Sequence, residues 1–572
     1  MLGRERLASI GALTIVALAA ALPACHASAQ SPEELARIDR AIPARAQVRP
    51  QKPRRLLIFD LNVGYYPPHA SVATANAAFT RMGQRTGAFE AVVSRDPAVF
   101  RRESLRQFDA VLLNNTVGNL FEDPELRRNL LEFVTGGGGL MGLHGTSVAF
   151  TRFDQGGAED WPEFGVMLGA RGASHLEADE RVRVRVEEPG HPLVRSFRGR
   201  DFDYSEEFFR FGPPFSRNRV RVLLSIDNER TARLQGKDRV HRFREDDDYA
   251  LAWVRNYGRG RVFYSTIGHN PRVFWDPAML RFYLDAAQFV LGDLPAPTVP
   301  SARLTPAIRA QERLGWRLGV EAWTFHRFSF FETIEKTSRL GLAYIGGLSF
   351  QRVSDCIPRN FDPSLSDDEL SRVRMKLDEA GLRMLTFFIS EIPADEAGAR
   401  RVFEFGRKMG IETFMVPTMA SLDIIERMAD EYGINVGFHN YDRRVTPQFW
   451  SPETFLAAVE GRSRRIGAAV DMGFWIREGI DPVEGIRKLG NRLITIQFHD
   501  LHERSPQGHS VVWGTGAGES ERVFREMRRL GIVPTMIGLE YSHSFEDNYG
   551  LVAQCVAFFD RVSLAIAGGR AR

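Results

Sequence analysis

LITIQFHD (493–500) decides the fold of the C-terminal half when it is read beside INVGFHN (434–440), IGAAVDMG (466–473) and TMIGLEY (535–541). Each run is short and apolar, and each ends in a polar side chain, as a buried strand does. Helix-length segments separate them. Upstream, RLGVEAWTF (317–325), YIGGLSF (344–350), RMLTFFI (383–389) and TFMVP (413–417) have the same character. Eight strands in roughly 230–250 residues, with helices between them, fit a (β/α)8 (TIM) barrel. The C-terminal strand ends of such a barrel converge on one mouth. That mouth would gather His439, Asp471, Gln497, His499 and Glu540. Gln497 and His499 are two apart on one strand and share a face. Imidazole, carboxylate and amide donors together suit a divalent metal: Mn, Co, Zn or Mg. His439, Asp471, Glu540 and either Gln497 or His499 are the candidate ligands on this reading. Any one of them alone would more simply cap a helix. Trp323, Phe474 and Trp475 are candidates to line the mouth as aromatic platforms for a ligand ring, with core packing the alternative for each.

Working outward, LPAPTVPSARLTPA (294–307) carries four prolines and reads as a linker. Before it, RRLLIFD (54–60), FEAVVS (89–94), FDAVLLNN (108–115) and GLMGLHG (139–145) alternate with helical segments, the pattern of a doubly wound parallel sheet. A more β-rich stretch follows, and a helix near 277–291 closes the unit. The expected layout is a signal segment over 1–29, a first domain over 54–293, a linker over 294–314 and a barrel over 315–565. Residues 30–53 are polar and read as a loose lead-in.

In the first 29 residues, Arg4 and Arg6 precede an apolar run from Ile10 to Ala24, and Ala27-Ser28-Ala29 offers a small-x-small cleavage site. The run is short for a membrane span. The expected destination is the periplasm or the exterior; an uncleaved anchor helix is the alternative. Leu22-Pro23-Ala24-Cys25 resembles a lipoprotein box, into which Pro23 fits badly. No later run is read as a membrane span. Across 572 residues the net charge is +3, with the basic residues dispersed, which argues against a nucleic-acid partner. Three cysteines exclude a disulfide scaffold, and Cys356 and Cys555 read as packing residues.

Two resemblances sharpen these readings. Residues 316–562 resemble the sugar phosphate isomerase/epimerase family of xylose-isomerase-like barrels. The carrying stretches are RLGVEAWTFHRFSFFETIEKTSRLGLAYI, EGRSRRIGAAVDMGFWIREGIDPVEGIRKLGNRLITIQFHDLHE and VVWGTGAGE. The resemblance implies a metal on the last four strands, held by His439, Asp471, Gln497 and Glu540, and a proton shuttle between two carboxylates; Glu540, His499 and His439 are the expected catalytic groups. This chain departs from it: His439 stands where many relatives have Glu, leaving Glu540 of the pair. Tyr441, Phe474 and His499 also replace residues of nearer relatives. Residues 54–293 resemble the trehalose-utilisation (ThuA-like) domain, a relative of class I glutamine amidotransferases, through GGGGLMGLHGTS (136–147), Gly190-His191-Pro192, DYSEEFF (203–209) and ALAWVRNYGRGRVFYSTIGHN (250–270). His144 stands at the elbow where amidotransferases carry a nucleophilic cysteine, and the domain has no cysteine, so thiol-based amide hydrolysis is excluded. His144, His175, Glu207 and His269 are the expected ligand-binding residues there.

The expectation is therefore an exported, metal-dependent carbohydrate enzyme: a sugar isomerase or epimerase, or a keto-glycoside lyase. The alternative is a sugar-binding protein whose barrel has lost catalysis. An abasic-site endonuclease is a third reading, against which the near-neutral charge counts. The glycines of WGTGAG are read as shaping a tight loop and not as a phosphate cradle.

Overall fold

A computed structural model describes residues 30–152 and 160–569; the expected signal segment lies outside them. The first domain is a nine-stranded sheet in the order Glu90–Ser94, Arg55–Phe59, Ala110–Asn114, Gly139–Leu143, Gly260–Ser265, Ala250–Tyr257, Arg221–Ile226, Glu180–Val186, Phe202–Glu206. The first five strands are parallel and the remaining pairings antiparallel. The switch falls at Gly258-Arg259, a turn too short for anything but a hairpin. In strand Arg55–Phe59, Leu56 and Ile58 enter one core while Leu57 and Phe59 enter another. That alternation covers both sheet faces with helices. Helix Ser71–Thr86 buries Val72, Ala75, Ala78, Phe79 and Met82, a stripe at helical spacing.

The lead-in is more ordered than its composition suggests. Pro32–Ala41 is a helix with a Ser31–Glu34 capping box. Behind it, Gln288 Oε1 accepts from the backbone N–H of Gln47 at 2.8 Å and of Val48 at 3.3 Å. The linker region likewise holds a helix, Pro306–Leu314, with Thr305 as its cap.

The second domain is a closed parallel barrel. Its strands, in order, are Leu318–Val320, Tyr344–Leu348, Arg383–Phe388, Thr413–Val416, Asn435–His439, Ile466–Asp471, Leu493–Phe498 and Ile537–Leu539, and the last pairs with the first. A short hairpin, Arg352–Ser354 with Ile357–Asn360, follows the second strand. Cys356 sits at its turn and is exposed, contrary to the packing role expected of it; Cys555 is buried, and both are free. The last helix, Tyr549–Gly568, is long and apolar enough to cross a membrane by length and composition, a run the sequence reading passed over. Here Val552, Cys555, Phe559 and Val562 pack into the barrel's core.

The two domains meet at the N-terminal ends of their strands. Gly258, at the hairpin turn, lies against Gly410: a methyl group on Gly410 would come within 2.2 Å of Gly258 Cα. Arg383 Nε donates to the Gly258 carbonyl at 2.7 Å, and Arg259 reaches the Gly433 carbonyl at 2.8 Å. Around this contact Arg374 meets Glu163 at 2.8 Å, Arg219 meets Asp378 at 3.2 Å, and Arg255 also pairs with Asp378. Directly beneath the barrel, Arg317 forks onto Glu412 at 3.0 and 2.8 Å, and Arg383 joins them. Burial alone would raise the Glu412 carboxyl, but the guanidinium groups of Arg317 and Arg383 pull it down to about 2.

A carboxyl depressed in the fold stabilises it above its ordinary pKa, and the contribution fades as acid protonates it. Glu412→Gln is therefore expected to cost about 2 kcal/mol near neutral pH. That is below the ~3–5 kcal/mol of a fully buried pair, because 22% of the Glu412 side chain still meets solvent. Urea unfolding of wild type and variant should show this gap closing as pH falls from about 4.5 toward about 2. A gap that stays constant with pH would place the effect elsewhere.

Candidate active site at the barrel mouth

Each candidate residue is delivered by a strand end. His439 ends the fifth strand and Asp471 the sixth, Gln497 lies in the seventh with His499 one residue beyond it, and Glu540 follows the eighth. All five line one cavity of about 470 Å³, together with Trp323, Phe350, Phe388, Tyr441, Phe474, Arg477 and Phe545. Asp471, His499 and Glu540 form the inner group: one ligand-capable atom from each lies within 4.8 Å of the others. His499 Nε2 stands 3.5 Å from Asp471 Oδ2 and 3.7 Å from Glu540 Oε1. Gln497 Nε2 donates to Glu540 Oε2 at 3.1 Å, which leaves Gln497 Oε1 buried with no hydrogen-bond partner. His439 stands outside the inner group, with Nε2 3.7 Å from Asp471 Oδ2 and its ring edge-on to Phe388. Asn440 fixes the sixth strand end through the Asp471 backbone, donating at 3.1 Å and accepting at 2.8 Å.

The cavity separates its carboxyl groups electrically. Burial alone would raise Asp471, but His499 and His439 bring it to about 2. Glu540 is pushed up to about 7 by burial and by the Asp471 charge. Burial would lower His499, but the adjacent Asp471 and Glu540 leave it raised.

Glu321, absent from the sequence-derived set, completes the cavity floor. It follows the first strand, and the Thr386 hydroxyl donates to it at 3.1 Å. Its carboxyl occupies space left by two glycines of neighbouring strands: a methyl on Gly346 would come within 2.0 Å of its Oε2, and one on Gly538 within 2.5 Å of its Oε1. Burial, reinforced by Glu540, raises Glu321 to about 8. The strand-end rule that singled out the other residues applies equally to Glu321.

Trp323 is at the mouth, stacked on His326 with ring centroids 4.0 Å apart. Trp475 is not. It is buried in the barrel wall against Gly485, while the preceding residue, Phe474, faces the cavity. Both lie on the short helix Met472–Arg477, where adjacent side chains diverge by about 100°. The WGTGAG loop (513–518) is a packed turn, as its glycines suggested. Its Gly514, Gly516 and Gly518 amides all donate to the Asp500 carboxylate, at 2.7, 3.2 and 2.8 Å. Those amides are therefore committed internally.

The first domain holds a second polar cluster. His144 sits at the elbow with φ +40°, a left-handed conformation uncommon for a side-chain-bearing residue. Its Nδ1 is 2.7 Å from the Thr266 carbonyl, and its Nε2 is 3.3 Å from Glu207 Oε1. His269 Nε2 and His175 Nδ1 stand 3.8 and 3.4 Å from Glu207 Oε2. His175 is the most exposed of the set. His69, which no motif marks, packs against both His144 and His269.

Residues 55–290 match the ThuA family model, described as trehalose utilisation. None of the curated proteins matches the chain. Among solved structures, an uncharacterised protein from Parabacteroides distasonis ATCC 8503 is 27% identical, covers 43% of this chain and 98% of its own, with a TM-score of 0.36. A D-tagatose 3-epimerase-like protein is 16% identical over 44% of this chain and 98% of its own, at a TM-score of 0.34. An L-ribulose 3-epimerase is 17% identical over 45% of this chain and 99% of its own, at 0.35.

Asp500→Ala should leave three loop amides and the Ser520 hydroxyl without their acceptor. The expected loss is about 3 kcal/mol in chemical denaturation. Faster amide exchange confined to residues 513–520 would accompany it. Unchanged exchange in that loop would show that Asp500 does not hold it.

Proposed function

With residues 55–290 a ThuA-like domain and the C-terminal half a TIM barrel, we propose that the chain is a divalent-metal-dependent carbohydrate isomerase or epimerase acting at the barrel mouth. The observation that carries this is the inner group of Asp471, His499 and Glu540, set in a cavity of about 470 Å³ beside the protonatable Glu321. Small-molecule sites commonly occupy ~300–1,000 Å³. The signal-like segment at 1–29 supports a periplasmic or secreted location.

The donor set fits a divalent ion. Gln497 Oε1 and His499 Nε2 are buried without hydrogen-bond partners, beside two carboxylates. Asp471, His499, Glu540 and Gln497 would hold the ion, with His439 next to Asp471; this moves His499 from the proton-transfer role expected of it into the ligand set. Mn, Co, Zn and Mg are all compatible with mixed nitrogen and oxygen donors. When bound, the ion would act as a Lewis acid toward a sugar carbonyl or hydroxyl.

The remaining chemistry belongs to the side chains. Glu540, a buried carboxylate in the same cavity, can take a proton from the carbon beside a carbonyl and return it. Glu321 keeps its proton to about 8 and can supply it to the developing oxyanion. Trp323 and Phe350 offer apolar faces to the sugar ring at the rim. A keto-glycoside elimination would draw on the same base. Isomerisation is preferred because two carboxyl groups able to carry a proton share the cavity, and proton return needs one.

Glu540→Gln should lower turnover by about 10²–10⁴-fold while sugar binding persists. Exchange of solvent hydrogen into ketoses and aldoses should stop with it. Asp471→Ala should lower the metal content by about one ion per chain in elemental analysis. A wild type that binds sugars but exchanges no carbon-bound hydrogen with any of the four ions would establish the sugar-binding role instead.

A further inference from the structure

We propose that the first domain holds its own divalent transition-metal ion at His69, His144, His269 and Glu207, independent of the barrel. The four side chains come from four separate connections, each following a strand at the sheet's C-terminal edge: Arg55–Phe59, Gly139–Leu143, Phe202–Glu206 and Gly260–Ser265. They converge so that one donor atom from each lies within 4.8 Å of the others. A tetrahedral ion with 2.1 Å bonds needs donors about 3.4 Å apart. The His144–Glu207 and His269–Glu207 separations, 3.3 and 3.8 Å, are already close to that.

His144 makes the strongest case. Its Nδ1 faces the Thr266 carbonyl at 2.7 Å, and a carbonyl only accepts, so Nδ1 carries a hydrogen and donates. Its Nε2 then points at the Glu207 carboxylate, buried and with no hydrogen-bond partner. A lone pair facing a carboxylate oxygen at 3.3 Å is repulsive unless a cation lies between them. The cation is either a proton or a metal ion. Two further imidazoles favour the metal: His269 presents Nε2 to the same carboxylate, His69 buries an Nδ1 without a partner, and the three rings meet at centroid distances of 5.0, 5.2 and 5.2 Å. One proton between His144 and Glu207 would leave those two rings unexplained. Three neutral imidazoles and one carboxylate are the donors of a zinc-class site, and the Thr266 carbonyl is the outer partner that fixes the tautomer of a ligating histidine. The left-handed His144 backbone is local strain that such a ligand would offset.

Glu207 also borders a pocket of about 650 Å³ lined by Tyr65, His175, Thr151, Ser174 and Arg171. A coordination position turned toward that pocket would take an oxygen ligand, such as a hydroxyl or carbonyl of a polar metabolite.

The test uses the full chain with Asp471→Ala and His499→Ala, which removes the barrel's inner group. Dialysed against zinc(II), this protein should retain about one ion per chain, and cobalt(II) should give the visible absorption of a four-coordinate site. Adding Glu207→Gln, close in size to the original, or His269→Ala should weaken zinc binding by more than the roughly 10–100-fold typical of losing an outer partner. Zinc should raise the melting temperature of the parent and not of these variants. A folded parent that retains no zinc or cobalt, or zinc binding indifferent to both substitutions, overturns the proposal and leaves His144 and Glu207 as an imidazolium–carboxylate pair. The barrel's own metal is measured in a chain with Glu207→Gln and His269→Ala and an intact barrel mouth, so either site can fail without the other.

Discussion

A carboxylate taken out of water needs a counter-charge, a set of donors or its proton back, and much of this molecule's layout follows from which of these each buried acid obtains. Glu412 obtains two guanidinium groups and ties together strand ends at the base of the barrel. Asp500 obtains backbone amides and shapes a loop. Asp471 obtains imidazoles and stays charged, while Glu321 obtains little beyond one hydroxyl and keeps its proton. Similar chemical groups thus end up as a salt-bridged anchor, a loop scaffold, a charged carboxylate and a protonated acid.

The barrel's closure makes this differentiation possible at the mouth. Eight parallel strands end on one rim, so side chains far apart in the chain share a single low-dielectric space. In that space Asp471 and Glu540 cannot both be charged without penalty, and the histidines settle which of them is. Glycines at positions 346 and 538 are part of the same arrangement, because the Glu321 carboxyl fills the volume their side chains would have taken.

The strand ends were legible because a buried strand is a continuous apolar run that stops at a polar residue, and INVGFHN, IGAAVDMG, LITIQFHD and TMIGLEY each do so. Glu321 was equally legible by that rule but sits inside RLGVEAWTF, where the apolar run resumes after it and hides the strand end. Trp475 and Phe474 are neighbours on one helical turn, and only the helix's rotation decides which faces the cavity. His69 lies in a Pro-containing connection with no periodicity, so nothing local ties it to His144, 75 positions along the chain. The lead-in looked loose because its contacts are polar and distant, as the Gln47–Gln288 bond illustrates.

The back-to-back docking of the domains has a consequence for traffic. Both use the N-terminal ends of their strands for the contact around Gly258 and Gly410, and both keep their polar clusters at the opposite ends. Among the described residues the two openings lie at opposite ends of the molecule, so a molecule passing from one to the other would cross bulk solvent. Joining the two units in one polypeptide fixes their ratio at one to one, and with the openings so placed a relay between them would run at the pace of diffusion and dilution.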